Sequence, residues 1–298
     1  MSKPRVLVTG ASGFTGHYVC CELTKQGFDV FALTHDGSLL GRSVNLCSYE
    51  DVLNCILQVQ PENVIHLAAI AYVEHGAPND FYRVNLEGTL NLLRALETVN
   101  CIRGTVILAS SANIYGNTYQ GHAIKEDFIP QPVNEYAVSK LSMEYMARLH
   151  MDKLPITIVR PFNYTGCGQN VNFLIPKIVD AFKSRQSRLE LGNLDISRDF
   201  SDVRDIAKYY ACLVSKGISG QTINFCSGYS IGIDKIIKIC ETITGHAIEI
   251  CSVQNLKRKN ELKHLLGNPC LLRQVVDILP EYSIEMTLKW MLNGRHKS

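Results

Sequence analysis

The chain has almost no excess charge of either sign. Its 30 Lys and Arg stand against 28 Asp and Glu, a formal net of +2. So small an imbalance argues against nucleic acid or an anionic membrane surface as partner. The basic stretches Lys257-Arg-Lys259 and Gly294–Ser298 are short and read as solvated charge. No apolar run reaches membrane-spanning length, and no leader precedes the apolar run Arg5–Thr9. There is no internal repeat and no low-complexity linker. Cysteine is plentiful, at 11 residues, yet no two have CxxC or zinc-site spacing. Cys20 and Cys21 sit in an apolar helical stretch, where a thiol behaves as a small hydrophobe. The expectation is a soluble cytoplasmic protein in a reducing compartment, with no metal, nucleic-acid or membrane partner.

What is present is a core-forming composition, 46% hydrophobic and 19% charged over 298 residues. Apolar strand-like runs at Arg5–Thr9, Asp29–Leu33, Val64–Leu67, Thr105–Ala109 and Pro155–Arg160 alternate with helix-period stretches at Phe14–Gln26, Tyr49–Gln60, Asp80–Val99 and Glu135–His150. Continuous apolar strands separated by helices predict an α/β fold with a doubly wound parallel sheet. After Pro161 the alternation loosens into helices and short strands, while Asp202–Lys216 and Thr222–Phe225 are expected to return to the main sheet. Residues 1–169, with a returning segment at about 199–230, are read as a dinucleotide-binding domain. Residues 170–198 and 231–298 form a smaller lobe.

Gly10, Gly13 and Gly16 follow the first strand and open the first helix. Glycines there permit a tight turn and let backbone approach a pyrophosphate, and the helix N-terminus attracts it. Ser12, Phe14 and Thr15 belong to the same turn. The spacing is GxxGxxG rather than the GxGxxG of dinucleotide sites. At the end of the second strand an acid favours NAD, and a neutral or basic group admits the 2′-phosphate of NADP. Thr34 stands where that acid is expected, followed by His35 and Asp36. NADP(H) is therefore favoured, with His35 and Arg42 near the phosphate, and NAD(H) stays open because of Asp36.

Tyr136 and Lys140 lie four apart on one helix face, and Ser111 follows the fourth strand at the carboxyl edge. A phenol beside an ammonium and an oxidised nicotinamide is expected to have its pKa lowered. Ser111 is expected to hold the reacting oxygen. These three are the expected catalytic residues.

With its glycine turn, His66-Leu-Ala-Ala69, Val84-Asn-Leu-Glu-Gly-Thr89, Ser110–Gly116, Tyr136–Lys140 and Arg160-Pro-Phe-Asn163, the chain resembles the extended short-chain dehydrogenase/reductase family. These are nucleotide-sugar epimerases, dehydratases and reductases. The resemblance implies a Rossmann-type sheet with a smaller C-terminal substrate-binding lobe, cofactor contacts at Asn45, Leu46, Leu67, Ala68 and Ala69, and a homodimer through paired helices. The segments Arg160–Gln169 and Leu191–Asp205 look like the branch that handles GDP-linked 6-deoxy-mannose sugars. By that likeness Asn163 and Arg198 would contact the pyrophosphate, and Arg258 and Glu261 the nucleoside.

Related dehydratases carry a Glu at the position of Asn113, sometimes after an Asp at that of Ala112. Related epimerase-reductases carry a Cys at 113. Ala112 and Asn113 do not titrate near neutral pH, so dehydration and C3 or C5 epimerisation are disfavoured. What the resemblance leaves is hydride transfer at C4 of a nucleotide-diphosphate sugar, with Ala112 and Asn113 lining the sugar. Reduction of a 4-keto-6-deoxyhexose is the leading expectation, and a UDP-glucose-type 4-epimerase the alternative.

Overall fold

The computed structural model describes residues 3–34, 38–39, 42–70, 78–117, 121–256 and 263–294. In chain order the elements are β1 (Arg5–Thr9), α1 (Phe14–Lys25), β2 (Asp29–Leu33), β3 (Ser38–Leu39), β4 (Arg42–Ser43), α2 (Tyr49–Val59), β5 (Asn63–His66), α3 (Pro78–Phe81), a π-helical stretch (Tyr82–Glu87), α4 (Gly88–Val99), β6 (Val106–Ala109), a 3-10 turn (Ala112–Tyr115), α5 (Glu135–Arg148), β7 (Ile156–Pro161), β8 (Asn163–Thr165) and α6 (Leu174–Lys183). Then come β9 (Arg188–Leu191), β10 (Ser197–Asp202), α7 (Val203–Lys216), β11 (Thr222–Phe225), β12 (Ser230–Gly232), α8 (Ile233–Thr244), β13 (Glu249–Ser252), β14 (His264–Leu265), α9 (Cys270–Val276) and α10 (Ile284–Asn293).

Six strands form one parallel sheet in the order β11-β7-β6-β5-β1-β2. β5 and β7 are buried along their whole length, because helices cover both faces. On one face Val52 and Ile56 of α2, Leu92 and Leu96 of α4 and Met143 of α5 pack against the sheet. On the other lie Val19 and Leu23 of α1 and Ile206, Tyr210 and Leu213 of α7. Ser48 caps α2 by accepting from the Asp51 N–H, and Asn134 caps α5 by accepting from Ala137. From β1 the chain goes to β2 on one side and then to β5 on the other. This reversal opens a crevice at the carboxyl ends of β1 and β5.

The return of Thr222–Phe225 to the main sheet is as expected, since β11 pairs with β7. β10 instead joins β8, β12 and β14 in a second sheet. The smaller apolar core of α6, α8, α10 and β9 gathers Ile178, Phe182, Leu189, Ile236, Leu288 and Met291. The expected single helix from Asp80 to Val99 is broken into α3, a π-helical stretch and α4. The π-helical stretch carries Asn85, whose contacts are described below.

Candidate active site

The glycine turn sits in the crevice at the sheet reversal. Gly10 has φ +68°, and a Cβ there would stand 2.8 Å from the Ala68 nitrogen. A Cβ on Gly16 would stand 2.2 Å from the Gly10 carbonyl oxygen. Both positions therefore exclude any side chain. The turn closes through Ala11 N–H to the Leu33 carbonyl at 2.9 Å and Gly13 N–H to the Gly10 carbonyl at 3.1 Å. α1 starts with Gly13 as its N-cap, with no side-chain cap and no acid in its first turn. Close-packed backbone ending in an uncapped helix N-terminus fits a dinucleotide pyrophosphate. The side chains of Phe14 and Thr15 turn toward β8. Phe14 stacks on Tyr164 at 6.1 Å between ring centroids, and the Thr15 hydroxyl is 2.7 Å from the Tyr164 hydroxyl.

Thr34 is half-buried just past β2. His35 and Asp36 lie outside the described residues, as does the side chain of Arg42. Asn45 accepts the Cys47 N–H at 3.0 Å, and the Leu46 carbonyl accepts from Asn91 at 3.0 Å, so both residues belong to a fixed loop before α2. Leu67, Ala68 and Ala69 follow β5 against the glycine turn. The Ala68 N–H donates to the Thr9 hydroxyl at 3.2 Å.

A buried polar chain links this segment to the catalytic helix. Thr9 Oγ1 is 2.7 Å from His66 Nδ1, and His66 Nε2 is 2.9 Å from Thr89 Oγ1. The Thr89 hydroxyl donates to the Asn85 carbonyl at 2.7 Å, so it accepts from His66. That fixes a neutral imidazole with its proton on Nε2, accepting from Thr9 at Nδ1. Burial, with the Lys140 charge adding to it, pushes the His66 pKa down to about 3. Asn85 accepts the Ile70 N–H at 2.9 Å and donates to the Ile70 carbonyl at 3.3 Å and the Ser139 hydroxyl at 3.1 Å. Ser139 donates in turn to the Tyr136 carbonyl at 2.8 Å. The π-helical stretch carries Asn85 at the centre of these contacts, and such bulges often serve functional sites.

Ser111, Tyr136 and Lys140 come together as expected. The Ser111 hydroxyl stands beside the Tyr136 hydroxyl, and Lys140 Nζ donates to the Ala109 carbonyl at 2.6 Å. All three are buried. In the protein alone the Tyr136 pKa lies above the ordinary phenol value. Burial pushes it up to about 12, against the opposing pull of the Ser111 hydroxyl. The Lys140 ammonium, which donates to the Ala109 carbonyl, has its pKa brought down to about 8 by burial, partly offset by Glu144. A protonated phenol next to a hydroxyl is the starting state of a proton donor.

Beneath this group lies a buried ion pair that the sequence reading missed. Arg160 grips Glu144 with two bonds, Nε to Oε1 at 2.9 Å and Nη2 to Oε2 at 2.7 Å. Ser110 donates to Glu144 at 2.5 Å. Arg160 Nη1 reaches the Tyr115 hydroxyl and the Glu126 carbonyl, both at 2.8 Å. The available signal was spacing, since Tyr136, Lys140 and Glu144 follow one another at i, i+4 and i+8 on α5.

Of the residues expected to hold substrate, Ala112 is buried and Asn113 half-buried in the turn after Ser111. The Asn113 N–H donates to Ser111 Oγ at 3.2 Å. Asn163 lies on β8 opposite Phe200 of β10, and its buried Nδ2 finds no partner among the described residues. A buried amide donor without a partner is costly and suits a ligand oxygen. Arg198 is buried on β10, and its Nη1 donates to the Ser197 and Lys263 carbonyls, each at 3.0 Å. Arg258 and Glu261 lie outside the described residues. No cluster that could hold a metal ion is found among the described residues, nor any helix long and apolar enough to cross a membrane.

The same architecture and motifs recur in known proteins. The chain is 37% identical over 273 residues to a GDP-6-deoxy-D-talose 4-dehydrogenase of Aggregatibacter actinomycetemcomitans, covering 91% of each chain. It is 32% identical over 301 residues to a GDP-6-deoxy-D-mannose reductase of Pseudomonas aeruginosa, covering 97% of this chain and 96% of that protein. A solved structure of RMD from Pseudomonas aeruginosa complexed with NADPH superposes with a TM-score of 0.86 at 32% identity, covering 97% of this chain and 98% of that one. The family model described as the NAD dependent epimerase/dehydratase family matches residues 6–226. With its glycine turn, its Ser–Tyr–Lys group and this match, the chain belongs to the NAD-dependent epimerase/dehydratase family.

Proposed function

We propose that the protein reduces the C4 ketone of a nucleotide-linked 4-keto-6-deoxyhexose, with GDP-4-keto-6-deoxy-D-mannose as substrate, NADPH as reductant and a GDP-6-deoxyhexose of the rhamnose or talose type as product. The observation that carries this reading is the buried Tyr136 phenol with the Ser111 hydroxyl beside it and Lys140 one turn along α5, with Ala112 and Asn113 offering no second acid or base. A bound reduced nicotinamide supplies the hydride to C4. Tyr136 delivers its phenolic proton to O4, and Ser111 donates to the same oxygen as negative charge develops there. Lys140 orients the cofactor ribose and, as an ammonium, stabilises the phenolate left behind. The two GDP-deoxysugar relatives support the base and the sugar, and the NADPH complex supports the cofactor. The unpartnered Asn163 amide supports a diphosphate contact.

NADPH consumption with GDP-, dTDP-, CDP- and UDP-linked 4-keto-6-deoxy sugars tests this, with product configuration read by NMR. Turnover restricted to the GDP sugar is expected. Interconversion of UDP-glucose and UDP-galactose without added cofactor would replace the reading with a 4-epimerase. We also infer that two copies pair through α4 and α5, where Tyr145 and Leu149 of the α5 region lie 57% and 81% exposed. Light scattering is expected to give twice the chain mass, and a monomer at micromolar concentration would refute pairing.

A further inference from the structure

The end of β6 and the inner face of α5 meet residue by residue. Ala109 offers its carbonyl to Lys140, Ser110 donates its hydroxyl to Glu144, and the Ser111 hydroxyl stands beside that of Tyr136. The first and third contacts hold the two groups that act at the sugar and the ribose. The second holds a carboxylate that is 0% exposed and touches no reacting atom. Burying a charged pair is weak support for stability, since apolar residues of similar volume serve as well or better. Glu144 nevertheless receives three charge-assisted bonds, at 2.5, 2.7 and 2.9 Å. Arg160 spends its remaining described hydrogen bonds on Tyr115 and Glu126.

We propose that Glu144 is a positioning residue for the catalytic group: clamped by Arg160 and Ser110, it sets a fixed negative charge one turn beyond Lys140 and so keeps the buried amine protonated. This rests on the reading of Lys140 given above. The other charged or titratable groups around the amine are His66 at the end of β5, Arg160 on β7, Tyr136 on its own helix, and Tyr164 and Tyr210 beyond Tyr136. Tyr115 lies in the turn after β6. The layer formed by α3, the π-helical stretch and α4 adds Asp80, Tyr82, Arg83, Glu87, Arg94 and Glu97. His66 is neutral above about pH 3 and burial holds Tyr115, Tyr136, Tyr164 and Tyr210 protonated. Arg83 and Glu87 are exposed. Glu144 is the anion that acts on Lys140, and it opposes the effect of burial.

The test is NADPH affinity as a function of pH, followed by nicotinamide fluorescence from pH 6.5 to 9.5, which needs no sugar substrate. Wild-type protein should lose affinity with a midpoint near 8, and Lys140→Met should abolish that transition. Glu144→Gln keeps the shape but removes the charge, and should move the midpoint down by about one unit. Ser110→Ala removes one of the bonds that hold the carboxylate in place, and should move it down by less than Glu144→Gln does. Midpoints in both variants equal to wild type, with the transition still abolished in Lys140→Met, would overturn the role of Glu144 and leave Lys140 in place. A wild-type protein with no Lys140-dependent transition would overturn the Lys140 reading itself, and this inference with it. If Glu144→Gln does not fold, the Ser110→Ala midpoint decides alone.

Discussion

The carboxyl edge of the main sheet and the second sheet on the substrate side achieve their order in different ways. At the edge the main chain sets the geometry. Gly10 and Gly16 leave no room for a Cβ, and the last residue of β6 and the one after it, Ala109 and Ser110, meet Lys140 and Glu144 of α5. On the substrate side buried polar side chains hold the loops. The Asp199 carboxylate gathers the Ser227 hydroxyl and the N–H groups of Ser227, Gly228 and Gly267, at 2.6 to 3.2 Å. Arg198 beside it holds two carbonyls. Asn163 alone among the residues expected to meet substrate keeps a buried donor with no partner among the described residues. The edge is held by backbone close to backbone, whereas β8 beside the second sheet carries, among the described residues, a buried amide donor without a partner.

The comparison can be broken in order of effect. Tyr136→Phe is expected to lower turnover about a thousandfold, the scale of general-acid catalysis, with NADPH affinity within about twofold of wild type. Retained turnover would remove Tyr136 from the chemistry. Gly16→Ala should cost about 2–3 kcal/mol in urea unfolding, because the added methyl meets backbone and not a yielding side chain. NADPH affinity should fall with it. An unchanged midpoint would mean that the turn is looser than described. On the substrate side, Asn163→Ala should raise KM about tenfold, or about 1.4 kcal/mol, without loss of stability, since no protein contact is removed. A stability loss with unchanged KM would make Asn163 a structural residue like Arg198.

The most gradual effect, spread over several pH units, concerns His66. Its folded pKa of about 3 lies far below the ordinary 6.5, so the unfolded chain binds an extra proton between those values. Its contribution is complete above pH 6.5 and is lost as pH falls toward 3. Stability should therefore drop over that window by at most about 1.4 kcal/mol per pH unit from this group. His66→Gln should flatten the slope, and an unaltered slope would contradict the buried neutral imidazole.

The edge was legible in the sequence because its constraints are local. Glycines at fixed spacing after an apolar strand, and polar residues four apart on a helix, each have one geometric meaning. Glu144 carried the same signal one turn later. The π-helical stretch did not, because Tyr82–Glu87 reads as ordinary helix. The bulge coincides with Asn85 holding Ile70 and Ser139, contacts that span 15 and 54 residues. β10 escaped notice because Ser197–Asp202 is rich in charged and polar residues that burial in a second sheet has satisfied. The burial that raises the Tyr136 pKa in the protein alone leaves no mark in local spacing.

The central claim is that this site reduces a ketone with one proton donor. The most direct measurement follows GDP-4-keto-6-deoxy-D-mannose and NADPH with the wild-type protein, reading NADPH absorbance and the product by NMR. The account predicts one NADPH consumed per GDP-6-deoxyhexose formed, with the new C4 hydroxyl in a single configuration and no change at C3 or C5. A product altered at C3 or C5, or sugar conversion with no net loss of NADPH, would contradict it.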